Sequence, residues 1–212
     1  MSIVKLNNRG VKNATAFGSI TGLGSMTFIK KLTASSSSTL SFVDGASSVV
    51  LDNTYKEYLF TFKNIHPGTA ETSLMFNMST DSGSNYNVTK TTTFFRANNR
   101  EDGGGNDLAY RTGDDLAQST SFQPLSAVNG AGNDEALSGY LRLFNPSSTT
   151  FVKHFLGETN AYMINQDHTN HSLFAGYGNT TSAIDAVSFI GEYAEGQSGN
   201  IDSGQILLFG LN

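Results

Sequence analysis

With 212 residues and no cysteine, the chain excludes disulfide stapling and thiolate metal sites, and its length suits one all-β domain of ordinary size. Charged residues make up only 15% and the net charge is −5, which leaves no basic footprint for nucleic acid or anionic lipid. Ser, Thr, Asn and Gly reach roughly two-fifths of the residues, and all four are poor helix formers, so composition favours strands and turns.

Residues 1–25 stand apart. Ile3, Leu6, Val11, Phe17 and Ile20 are scattered among Asn and Gly with neither a helical nor a strand period. Such residues have no face to bury locally, and a disordered tail is usually depleted in them, so the segment reads as an assembly or docking arm. "MSIVKLNNRG" carries Lys5 and lacks the apolar core of a signal peptide, which points to synthesis in a cytoplasm without export by a signal. No run approaches the ~18 apolar residues of a membrane span, so membrane insertion is not expected.

From Met26 onward, alternating runs follow one another at short intervals. Strands are expected at 26–33, 39–43, 49–52, 55–63, 73–79, 87–97, 137–144, 150–162, 172–177, 186–190 and 205–210. The clearest are Tyr55–Lys63, with Tyr58, Phe60 and Phe62 in step, and Leu137–Phe144, with Leu137, Leu141 and Leu143 on one face. Asn64, Pro67 and Gly68 signal a turn after the first of these, and Asn145 and Pro146 one after the second. Near the C-terminus, Gly199–Asn200 and Ser203–Gly204 bracket a further turn before a closing strand. The expected class is all-β: an antiparallel, jelly-roll-like β-sandwich at 26–212 with an extended N-terminal arm at 1–25.

One stretch, at about 98–134, breaks the pattern. It is Gly-rich and acidic, and too long for an ordinary connector. "TGDDLAQS" suits a single helical turn with Thr112 or Asp114 as N-cap. Asn98, Asn99, Arg100, Tyr110, Arg111 and Gln118 suit hydrogen bonding and stacking on sugar rings, so they form the candidate recognition surface, with the turn at Asn165–Asn170 beside them. The competing reading is a cover over a sheet edge.

The remaining motifs carry no catalytic chemistry. "STDSGSNYN" at 79–87 resembles an Asp-box hairpin turn, with a calcium site on Asp81 the thinner alternative. His168 and His171 in "DHTNH" would share a metal on a helix, but extended chain splays them. The adjacent acids Glu101–Asp102, Asp114–Asp115 and Asp134–Glu135 do not provide the separated pair a glycosidase needs. No cofactor or metal is expected.

Five segments carry a resemblance: "KLNNRGVKNATAF", "STDSGSNYNVTKTTTF", "LRLFNPSSTTFVKHF", "GNTTSAIDAVSF" and "SGNIDSGQILLFGL". Together they are similar to virion structural proteins of tailed bacteriophages, many from marine phages, which are tail-fibre-like or simply structural. The resemblance spans nearly the whole chain, with 98–134 the weakest part. It implies an antiparallel β-sandwich displayed on a virus particle and no catalytic residues. The expected role is a non-enzymatic tail-fibre or tip module for host adsorption. A capsid decoration (cement) protein and a carbohydrate-binding module are the alternatives. Expected partners are other virion proteins through the arm, further copies of the chain (a trimer first, by analogy with phage fibres) and a host surface glycan. Aromatics assigned to both faces of Tyr55–Lys63 provide the sequence argument for oligomerisation.

Overall fold

The computed structural model describes residues 26–163, 167–193 and 197–212 (for Ser198, the backbone alone). The arm residues Ile3, Leu6, Val11, Phe17 and Ile20 lie outside them. Two antiparallel sheets pack face to face as a β-sandwich, with no helix among the described residues. The strands are β1 (Met26–Thr33), β2 (Thr39–Val43), β3 (Glu57–Pro67), β4 (Thr72–Ser79), β5 (Lys90–Arg100), β6 (Asp107–Tyr110), β7 (Gln123–Pro124), β8 (Leu137–Phe144), β9 (Lys153–Met163), β10 (His168–Gly178), β11 (Ala186–Tyr193), β12 (Ser198–Gly199) and β13 (Ile201–Leu211). The large sheet has the order β1-β13-β3-β8-β9-β10-β5-β6. The small sheet runs β12-β11-β4-β7, with β2 also on β11.

Period-two alternation decides which side chains meet between the sheets. From β3 come Tyr58, Phe60 and Phe62, from β8 Leu137, Leu141 and Leu143, and from β13 Ile206 and Leu208, all buried. Phe189 of β11 is the hub. It packs against Phe42, Phe60 and Phe62 with ring centroids 6.2, 5.4 and 5.4 Å away, and Phe76 meets Phe155 at 4.9 Å. These tilted and edge-to-face contacts add to the area term, which stabilises by about 1.5–3 kcal/mol per fully buried large side chain. Gly157 is required by this packing. A Cβ there would lie 2.7 Å from the Phe174 ring and closer still to the Tyr140 carbonyl.

Several expectations are corrected. Residues 49–52 form no strand. Gly45 N–H donates to Val49 O at 3.0 Å, and the resulting tight loop drops Val49 and Leu51 into the core. The strand expected at 55–63 continues to Pro67, because a bulge at Asn64 (φ +47) absorbs the irregularity and the turn falls at 68–71. β13 likewise runs through Ser203–Gly204 with two register shifts instead of beginning after them. The aromatics of β3 do not occupy both faces: Tyr58, Phe60 and Phe62 all point inward, and Tyr55 precedes the strand and packs edge-on against Tyr58 at 5.8 Å. The excursion contributes β6 and β7, and "TGDDLAQS" is a turn without a helix, closed by Asp114 N–H donating to Arg111 O at 3.1 Å.

Candidate recognition surfaces

The excursion is a cover for one flank of the sandwich. β6 extends the large sheet beyond β5, with Tyr110 opposite Phe95 and their rings edge-to-face at 5.2 Å. The chain then doubles back along β5. Lys90 and Ser119 exchange two backbone hydrogen bonds at 2.8 and 3.0 Å, and Thr92 N–H donates to Leu116 O at 2.9 Å. Thr92 Oγ1 accepts from Leu116 N–H at 2.8 Å and donates to Gln123 Oε1 at 2.5 Å. Gln123 and Pro124 then pair with β4, so the excursion passes from the edge of one sheet to the edge of the other. Of the two readings of this stretch, the edge cover describes its backbone.

The six candidate recognition residues do not converge. They are strung along β5 between the levels of Arg100 and Thr91, a span of about 30 Å at ~3.3 Å per residue. The Asn98 amide hydrogen-bonds the buried Asn170 side chain, so Asn170 belongs to the interior, while Asn165 and Gln166 of the expected turn lie outside the described residues. Arg100 pairs with Asp102 at 2.9 Å, while Asn99 is exposed. Gln118 donates to Thr91 Oγ1 at 2.7 Å and accepts from Asn179 at 2.8 Å. Tyr110 and Arg111 turn toward acids of the same excursion: Tyr110 OH donates to Asp115 Oδ2, and Arg111 Nε to Asp114 Oδ2 at 3.3 Å. That carboxylate partner raises the Tyr110 phenol above its ordinary range.

Those acids line a cleft of about 710 Å³ between the excursion and the outer face of the small sheet. Its apolar part is Met75, Leu116, Phe122, Pro124 and Val128. Glu71, Asp114, Asp115 and Glu192 make the remainder acidic, with Ser73 and Ser121 adding hydroxyls. The sequence reading missed this lining because its members come from four separate stretches. The one local signal was the alternation of Ser73, Met75 and Asn77 on the outward side of β4. No three His, Cys, Asp or Glu among the described residues lie close enough to hold a metal ion. No family model, curated protein or solved structure matches the chain.

The outer face of the large sheet is the second surface. Two neighbouring rows cross it in register. One is Phe28–Phe209–Leu59–Arg142–Leu156–Ala175–Thr93, and the other Leu207–Thr61–Tyr140–Glu158–Leu173–Phe95–Tyr110. Met26, Phe28, Phe95, Tyr110, Leu156 and Leu173 are 39–55% exposed. A groove of about 420 Å³ runs over Ala175 and Gly176 between Phe144, His154 and Tyr177.

The lesser motifs resolve structurally. Asp81 accepts from Ser79 Oγ at 2.7 Å, from Asn85 N–H at 2.9 Å and from Asn85 Nδ2 at 2.7 Å, with Gly83 at φ +78. The Asn85 and Ser79 bonds hold its carboxyl below the usual range, and this is the chemistry of a hairpin turn. His168 is buried while His171 faces outward, its Nε2 3.1 Å from Glu158 Oε2; three residues apart in a strand, the rings occupy opposite faces.

Two lysines are buried without carboxylate partners among the described residues. Lys90 and Lys153 sit on either side of Gly178 in register. Lys90 Nζ donates to Asn77 Oδ1 at 2.6 Å and Val88 O at 2.9 Å, and Lys153 Nζ to Phe151 O at 2.7 Å. Burial pulls Lys90 down to about 7 and lowers Lys153.

Proposed function

We propose that this chain is a non-enzymatic structural module of a tailed-phage virion, a tail-fibre or tip component used in host adsorption. The observation that supports the reading is the outer face of the large sheet, where Met26, Phe28, Leu156, Leu173, Phe95 and Tyr110 stand exposed among Thr61, Thr93, Arg142 and Glu158. Several large apolar side chains exposed on one sheet face suit a subunit that works within an assembly. The sequence resemblance gives that assembly its setting. Residues 1–25 supply a docking segment for neighbouring virion proteins, and the chain functions as a homo-oligomer, a trimer first. The test is immunogold labelling of purified particles of the encoding phage with antibodies to residues 26–212. Label on the tail is the expected result. Label on the head replaces the fibre by the capsid-decoration alternative. Absence of the protein from purified virions by mass spectrometry overturns both.

A glycan-binding role is the second reading, favoured by the cleft. Phe122 provides an apolar surface there, and carboxylates and serine hydroxyls can bond sugar hydroxyls. Tyr110 and Arg111 support this surface by holding Asp115 and Asp114, and need not touch the sugar themselves. Tyr110→Ala and Arg111→Ala in the phage are expected to slow adsorption while particles assemble normally. Wild-type adsorption by both variants removes the cleft from host recognition.

A further inference from the structure

Charge divides this chain unevenly. Residues 1–25 contain Lys5, Arg9 and Lys12 and no Asp or Glu, a charge of +3. Removing them from the net −5 leaves −8 on residues 26–212. In the same segment Ile3, Val4, Leu6 and Val11 are interleaved with the three cations. The cleft over the small sheet shows the complementary pattern. Met75, Leu116 and Phe122 give it an apolar floor, and Glu71, Asp114 and Asp115 an acidic border. Its volume of about 710 Å³ falls within the range that holds a bound ligand or a short peptide stretch.

We propose that the cleft over the small sheet receives the basic, apolar segment 1–25 of a second copy of this chain. The proposal rests on the reading of residues 1–25 as an assembly segment, and it names the first partner of that segment as an identical subunit. A neighbour offers the segment a shorter path than the cleft's own chain does. The segment joins the domain at Met26 on β1, one edge of the large sheet. The cleft lies on the opposite flank, where the excursion leaves β6, the other edge. Seven strand spacings of ~4.8 Å separate those edges by about 34 Å. A subunit standing flank to flank with the next presents its cleft directly beside the neighbour's Met26. Such a contact joins two different patches, so it is heterologous, and repeated copies close into a ring when the rotation allows. Apolar burial holds the segment in place, and the opposed charges set its register and speed the encounter.

The experiment uses the full chain. Sedimentation velocity at micromolar concentration is expected to show a closed oligomer that weakens with added salt. The cleft variant Glu71→Lys/Asp115→Lys and the segment variant Lys5→Glu/Arg9→Glu/Lys12→Glu are each expected to raise the dissociation constant about tenfold or more. Far-UV circular dichroism and melting confirm that both remain folded. Combining the two sets in one chain restores opposite charges and is expected to restore the oligomer. A photocrosslinking amino acid at position 6 then locates the contact, and crosslinked dimers mapped to Met75 or Phe122 support the proposal. A monomeric wild-type chain, an oligomer indifferent to both charge reversals, links confined to the same chain, or links to the outer face of the large sheet would each overturn it. The virion assay is independent of these measurements. A protein absent from particles sinks the phage role and leaves the crosslinks standing, whereas missing crosslinks sink only the subunit contact.

Discussion

Lys90 gives the sharpest quantitative prediction. Its ammonium is fully buried, and its partners among the described residues are two neutral oxygens, from Asn77 and Val88. Burial lowers its pKa from 10.5 to about 7. At about 1.4 kcal/mol per unit, holding the charged form in the folded protein costs about 5 kcal/mol at acidic pH. Lys90→Met removes that cost. It also leaves Val88 O unpaired and Asn77 Oδ1 with the Met78 N–H alone, a loss of about 1–3 kcal/mol. At pH 6 the variant is therefore expected to be about 2–4 kcal/mol more stable than the wild type. The sign with pH follows from proton counting. Between pH 7 and 10.5 the unfolded chain keeps the Lys90 proton and the folded chain sheds it. Wild-type stability must therefore rise with pH across that window. From pH 6 to about 9.5 the rise attributable to Lys90 is about 3 kcal/mol, and the variant's advantage shrinks by that amount. Lys153 is shifted in the same direction, but it contributes to both proteins and cancels in the difference. Measurements stop near pH 9.5, because burial raises Tyr58 and ionisation of tyrosine in the unfolded chain erodes stability above about 10. Urea unfolding midpoints of both proteins at half-unit steps supply the comparison. Parallel pH profiles would refute the buried-cation argument, as would a variant less stable than wild type at pH 6.

Three further outcomes are expected. Gly157→Ala forces a methyl toward the Phe174 ring and the Tyr140 carbonyl, and should lower stability by about 1–3 kcal/mol in thermal melts; an unchanged midpoint would mean β9 can shift freely. Phe189→Ala empties the centre of the aromatic cluster and should cost about 3–5 kcal/mol by denaturant titration, whereas less than about 1 kcal/mol would show that the two sheets collapse around the gap. Asp81→Ala should speed amide exchange at Asn85 and Gly83 while leaving distant strands protected. Because its folded pKa is lowered, the Asp81 contribution is present above about pH 4 and fades as pH falls through the folded value, so exchange in wild type should approach that of the variant only in acid.

The sandwich was legible wherever one face of a strand is buried and the other is not. Leu137–Phe144 matches its expected limits, and so do Met26–Thr33 and Thr39–Val43. Strand ends were read short where polar residues carry on the ladder. His168 and Asn170 sit in β10 because their neighbours on β5 and β9 supply partners, which no local pattern reveals. β6, β7 and β12 escaped notice because four- and two-residue strands are defined by pairing alone. The residues chosen for recognition were picked by chemical type, and type does not fix direction. Tyr110 and Arg111 spend their polar groups on Asp115 and Asp114. The cleft itself was illegible, since Glu71, Met75, Phe122 and Glu192 come together only when β4 and β11 lie beside the excursion.

The place of β13 in the large sheet has a consequence for synthesis. It follows all the other described strands in the sequence, yet it lies between β1 and β3. Until Ile201–Leu211 emerges, β1 has no strand to pair with, and the inner aromatics of β3 border an unfilled slot. β1 therefore waits as an unpaired edge while the strands between it and β13 in the sequence are made. A frameshift or proteolytic nick that removes Ile201–Leu211 is not a local loss. It releases β1, so quality control of β13 is also quality control of β1.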